Sequence, residues 1–73
     1  MAASKLFIKD FLRSFDQVKK ELTREQSERV LMTLLLDGDL LKYLGEENRL
    51  NPGNRGIHEL RKVLLVSIQR GLY

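Results

Sequence analysis

Cysteine and tryptophan are absent from these 73 residues, and proline and histidine occur once each. Each absence removes a class of chemistry. Without cysteine there is no disulfide to brace a small fold, no thiolate nucleophile and no cysteine-ligated zinc. With His58 as the sole histidine, a two-histidine metal site cannot form within one chain. Long apolar runs are missing as well. Residues 63–66 form the longest unbroken one, and residues 30–36 are interrupted only by Thr33. Both fall far short of the ~20 residues that cross a bilayer. Near the start, Leu6, Phe7 and Ile8 are cut off at once by Lys9 and Asp10, so no signal-peptide core forms. The expectation is an intracellular protein, cytoplasmic or nuclear, with no membrane span.

What is present is enough for one core. Apolar residues make up 42% of the chain and charged ones 32%, too apolar a balance for obligatory disorder. A core of this size supplies roughly 3–5 kcal/mol of stability. With disulfides excluded, that leaves unaided helix packing, self-association or a partner. The net charge of +3 is unevenly spread. Residues 1–20 hold five bases against two acids, residues 21–47 three against seven, and residues 48–73 five against one. The order is basic, acidic, basic. Side by side, the outer thirds make a positive face; flanking the middle third, they neutralise it.

The apolar spacing is helical throughout. Ser4 is placed to cap a first helix, and Phe7, Phe11, Phe15, Val18 and Leu22 follow as one stripe, widened by Ile8 and Leu12. Lys5, Lys9 and Arg13 form a second stripe turned away from it. Thr23-Arg24-Glu25-Gln26 has capping-box spacing, so a new helix begins there. It carries Val30, Leu31, Met32, Leu34, Leu35 and Leu36, apolar most of the way round, as a central buried helix would be. Asp37-Gly38 ends it, with Gly38 free to turn left-handed. Asp39 caps a short third helix with Leu40, Leu41, Tyr43 and Leu44 as its apolar part. A turn-rich segment follows, including Asn51, Pro52, Gly53 and Asn54. Asn54 or Gly56 opens the last helix, with Ile57, Leu60, Val63, Leu64, Ser67 and Ile68 as its core face, leaving Leu65 and Val66 as surplus. Gly71 is a C-terminal glycine with Leu72 folding back. The pattern predicts an all-α fold: one domain over residues 1–73, a small bundle of three to four short helices around a single aliphatic core. The helices fall at about 5–20, 24–36, 40–46 and 56–70.

Catalytic and metal-binding arrangements fail one by one. Ser67, His58 and Glu59 supply the residue types of a triad, but Ser67 lies on the apolar face, away from His58. Asp37-Gly38-Asp39 suggests a calcium loop, yet the fifth position is Leu41, the sixth Lys42 and the twelfth Asn48, where an oxygen ligand, glycine and glutamate are required. No catalytic residue, metal ligand or cofactor site is assigned, and the chain is not expected to be an enzyme. The segment from Asn51 to Gly56 opens a helix with Arg55 beside it, a feature that attracts anions. A helix-turn-helix reading takes Arg55, His58, Arg61 and Lys62 as anion or nucleic-acid contacts, with Lys5, Lys9 and Arg13 as a further basic stripe. Against it stands a connector of about nine residues where three or four are usual.

The residues therefore favour a protein-interaction module, a small adaptor or regulator. Leu35, Leu36 and Leu41 are its candidate apolar contacts, because the leucine-rich segment exceeds one buried stripe. The partner is a protein, a helical peptide segment of one, or a second copy of the chain; nucleic acid is the rival. One prediction follows from the cap at residue 23. Thr23→Ala should lower stability by about 1 kcal/mol in urea unfolding. A continuous helix through that point would instead welcome alanine, and a stabilised variant would decide for it.

Overall fold

The computed structural model describes residues 4–36 and 38–73. Within them are four α-helices: α1 Lys5–Val18, α2 Arg24–Leu35, α3 Leu40–Leu50 and α4 Arg55–Gln69, with a 3-10 turn at Lys19–Glu21. There is no strand among the described residues, and the all-α bundle expected from the spacing is the fold observed.

Each helix start follows from its first residues. The Ser4 hydroxyl accepts from the Phe7 amide at 3.1 Å, Asp39 Oδ1 from Lys42 at 3.0 Å and Asn54 Oδ1 from Ile57 at 3.0 Å. At α2 the capping box is complete: Gln26 N–H donates to Thr23 Oγ1 and Thr23 N–H donates to Gln26 Oε1, both at 3.0 Å. These side chains satisfy orphan amides that would otherwise fray the first turns. The chain ends in a Schellman turn. Gly71 takes φ +71°, Leu72 N–H donates to the Ser67 carbonyl at 2.9 Å, and Gly71 N–H donates to the Ile68 carbonyl at 3.1 Å. Ser4 then links the two ends, its hydroxyl donating to the Leu72 carbonyl, while Tyr73 meets the Phe7 ring edge-on at 4.8 Å.

The central helix is α4, where the sequence pattern pointed to α2. α4 packs against both α1 and α3, whereas α2 packs chiefly on α3. The reason is that α2 buries only one narrow line, Gln26, Val30 and Leu34, at steps of four. α4 buries Gly56, Ile57, Leu60, Leu64 and Ser67. Phe7, Phe11 and Phe15 of α1 and Leu40 and Leu44 of α3 close on that surface. Apolar content around a helix does not say which side is covered: in the second half of α2, Val30 and Leu34 turn in, Leu31 is half-buried against the core, and Met32 and Leu35 stay outside.

Other departures are local. α1 stops at Val18 and tightens into the 3-10 turn instead of continuing to residue 20. α3 runs past residue 46 to Leu50, where Asn51 N–H donates to the Glu47 carbonyl at 2.9 Å. Its connector to α4 is therefore residues 51–54, a tight turn closed by Asn54 N–H on the Asn51 carbonyl at 3.0 Å. Ile68, expected in the core, is 41% exposed, because the face turned inward ends at Leu64 and Ser67. Gly38 is not left-handed; its N–H donates to the Thr33 carbonyl at 2.9 Å, two residues beyond the C-cap Leu36. Asp37, expected to share that helix end and the calcium-like triplet, lies outside the described residues, as do residues 1–3. No helix among the described residues is long and apolar enough to cross a membrane.

Leu60 and Leu64 are wholly enclosed. Alanine at either should cost about 2–5 kcal/mol in chemical denaturation, since the space left behind cannot fully collapse. Gly71→Ala should cost about 1 kcal/mol, because φ +71° suits a Cβ poorly even in open surroundings. An unchanged midpoint for Leu64→Ala would remove the case for α4 as the centre.

Candidate interaction surface

The surface that folding leaves over is best seen on α2. With Gln26, Val30 and Leu34 turned inward, Arg24, Glu25, Glu28 and Arg29 face solvent from the first half of the helix. Met32, Leu35 and Leu36 face it from the second half and the C-cap. These three sit at i, i+3 and i+4, so they share one side of the helix. Their exposures are 57%, 68% and 73%, the three highest among large apolar side chains save Leu50. Leu41, one residue into α3, is 38% exposed. Thus two of the three leucines singled out by sequence are strongly exposed and the third is half-covered. Met32 was missed; a flexible thioether among leucines reads as core filler unless the buried side of the helix is known.

Charges on the outer half of α2 contribute little of their own. Arg24 Nε lies 3.4 Å from Glu28 Oε1, both side chains being largely exposed, an arrangement worth at most a few tenths of a kcal/mol to about 1 kcal/mol. What the arrangement sets is the boundary: polar up to Arg29, apolar from Met32 onward.

The basic candidates do not form one continuous face. Lys5, Lys9 and Arg13 are exposed on the outer side of α1, opposite Phe7 and Phe11. Arg55, His58 and Lys62 are exposed on α4, and Arg61 is partly covered. The groove between these helices is lined by Asp10 and Ser14 of α1, by Glu59 and Lys62 of α4 and by its C-cap Arg70. The two carboxyl groups break the positive field in that groove. Ser67 is buried on the core side of α4 while His58 is exposed on the other, so they share no site. Among the described residues no group of three or more acidic or histidine side chains is arranged to hold a metal ion.

A second groove, about 380 Å³ in volume, lies between α2 and α3 and was not foreseen. Glu25, Arg29, Tyr43, Glu46, Glu47 and Leu50 line it. Its only advance sign was the acid excess of the middle third. Here the Tyr43 hydroxyl donates to Glu47 Oε1 at 3.1 Å. Burial, and next the Glu47 carboxylate that accepts this hydrogen, push the Tyr43 phenol up to about 12, with Arg29 pulling the other way.

No protein family, curated protein or solved structure matches this chain. The surfaces themselves carry the functional argument.

The raised Tyr43 pKa has a definite consequence. A phenol held protonated in the fold stabilises it below the ordinary value of 10.0, and that contribution is lost as pH climbs through about 12. Spectrophotometric titration of wild type against Tyr43→Phe should therefore show a phenol ionising near 12 in the difference curve. A difference centred at 10 would mean that neither the burial of Tyr43 nor its bond to Glu47 persists in solution.

Proposed function

We propose that this domain is a non-catalytic protein-interaction module, an adaptor or regulator, that engages a protein partner through the outer side of α2. The observation that carries the reading is the placement of Met32, Leu35 and Leu36 together on one solvent-facing side, each more than half exposed. A domain of this size has few large apolar side chains to spare. Contiguous apolar surface left outside so small a core is characteristic of contact sites. A partner helix laid along this side meets leucine and methionine at helical spacing, the arrangement used when an amphipathic helix docks. Leu41 extends the contact onto α3.

Nucleic-acid binding is the second reading, and one finding favours it. The α3–α4 connector is four residues, 51–54, rather than nine, which fits a helix-turn-helix joint. Arg55, His58 and Lys62 on the first half of α4 would then meet the duplex.

The two readings part on salt and on mutation. Leu35→Ser with Leu36→Lys should abolish capture of the protein partner while leaving the unfolding midpoint within about 0.5 kcal/mol of wild type, as surface changes do. Salt should have little effect. Were nucleic acid the ligand, affinity for a duplex would fall steeply with salt, and alanine at Arg55, Arg61 and Lys62 would flatten that slope by about one unit per lost phosphate contact. Tight duplex binding lost in that triple variant would sink the α2 proposal.

A further inference from the structure

α4 carries a second stripe that neither the core nor the α2 surface uses. His58, Arg61, Lys62, Leu65, Val66 and Gln69 recur at helical spacing on the side turned away from Leu60 and Leu64, and together they line a shallow depression. No carboxylate lines it. Leu65 and Val66 are 38% and 39% exposed, and Lys62 is exposed beside them. Arg61 Nε is enclosed without an acceptor among the described residues. A guanidinium does not shed its proton, so Arg61, half-buried at the edge of the depression, keeps its positive charge there.

We infer that this stripe docks an acidic amphipathic helix of a partner protein. The partner's apolar side chains lie on Leu65 and Val66, and its carboxylates meet Arg61 and Lys62. Complementarity of charge identifies the occupant: Arg61 and Lys62 line this depression without a carboxylate, Glu59 lying in the adjoining groove, so it favours a negative partner over a basic one. Spacing refines it. Arg61 and Leu65 are one helical turn apart, so the partner carries its carboxylates about 5–6 Å along its axis from its apolar contacts. A bilayer surface suits the stripe less well, because Leu65 and Val66 are more than half covered and no aromatic residue accompanies them. Nucleic acid would use only the cationic half and would leave Leu65 and Val66 against a polar backbone. This site is separate from the α2 surface, since α2 packs chiefly on α3; with both occupied, the domain bridges two partners.

The test is an amide-resolved NMR titration of the whole chain with two synthetic helical peptides. Both carry leucine at the same positions; one has glutamate a turn away from each leucine, the other lysine. The glutamate peptide should shift amides of residues 58–69 and the lysine peptide should not. Lys62→Glu should weaken the glutamate peptide by about tenfold or more, through the repulsion it introduces. Leu65→Ser should weaken it too, and Lys62→Gln should fall between Lys62→Glu and wild type. Both positions of change, 62 and 65, are exposed, and an unchanged amide spectrum elsewhere confirms that the fold is kept. Equal binding of the lysine peptide, shifts gathered at residues 32–36, or full binding by Lys62→Glu would overturn the inference. So would tighter binding at these same residues by a DNA duplex or by phosphatidylglycerol vesicles.

Discussion

One carboxamide oxygen holds two helix starts together. Gln26 Oε1 accepts from the Thr23 amide at 3.0 Å and from Asn54 Nδ2 at 3.3 Å. Thr23 and Asn54 are the N-caps of α2 and α4, and each also accepts from its own helix. Gln26 is 7% exposed, so this oxygen would be expensive to leave unmatched in the interior. Beside it Leu22 presses on Gly56 so closely that a Cβ there would sit 2.7 Å from Leu22 Cδ2. The polar clasp and this tight contact fix where α2 begins relative to the central helix. The remaining apolar attachment of α2 is narrow: Val30 and Leu34, with Leu31 half-buried beside them.

That asymmetry links folding to the proposed function. α2 is fastened at its first turn and along one narrow line, so its second half has a side that nothing among the described residues covers. A helix tied at both ends, or wedged centrally between two others, would have buried Leu35 and Leu36 and gained their transfer energy, about 1.5–3 kcal/mol each on full burial. The chain forgoes that gain in a domain whose whole stability is of comparable size. α4 repeats the pattern on a smaller scale, with Leu65 and Val66 set among cations on its outer side. Both helices divide along their length, charged in the first half of the outer side and apolar in the second.

Much of the architecture was legible because helix starts are local. Ser4, Thr23 and Asp39 cap where they were expected to, and of the two starts open to the last helix, Asn54 and Gly56, it is Asn54 that caps. Gly71 was equally plain, since its left-handed turn depends on neighbours alone. What escaped was non-local. Gln26 was visible as half of a capping box, but not as the acceptor for Asn54, 28 residues on. The side of α2 that faces inward is set by that same bond and by Gly56, so a run with six apolar residues in the seven from 30 to 36 carried no orientation of its own. The extra turn of α3 was hidden by the turn formers after it, which place the start of the connector just past residue 46. Tyr43 and Asn51 instead engage Glu47, through its side chain and its carbonyl, and carry the helix on. Leu35 and Leu36 were reached by counting surplus apolar residues, a count that could not separate them from Met32 or Leu41.

The account turns on the bond between Gln26 and Asn54, because it orients α2 and so leaves the leucine side uncovered. A double-mutant cycle on Gln26→Ala and Asn54→Ala, followed by urea unfolding, measures it most directly. Each single variant also loses its own cap bond, and the cycle cancels those losses. The account predicts a coupling of about 0.5–1.5 kcal/mol between the two sites. Effects that simply add, to within about 0.3 kcal/mol, would contradict it.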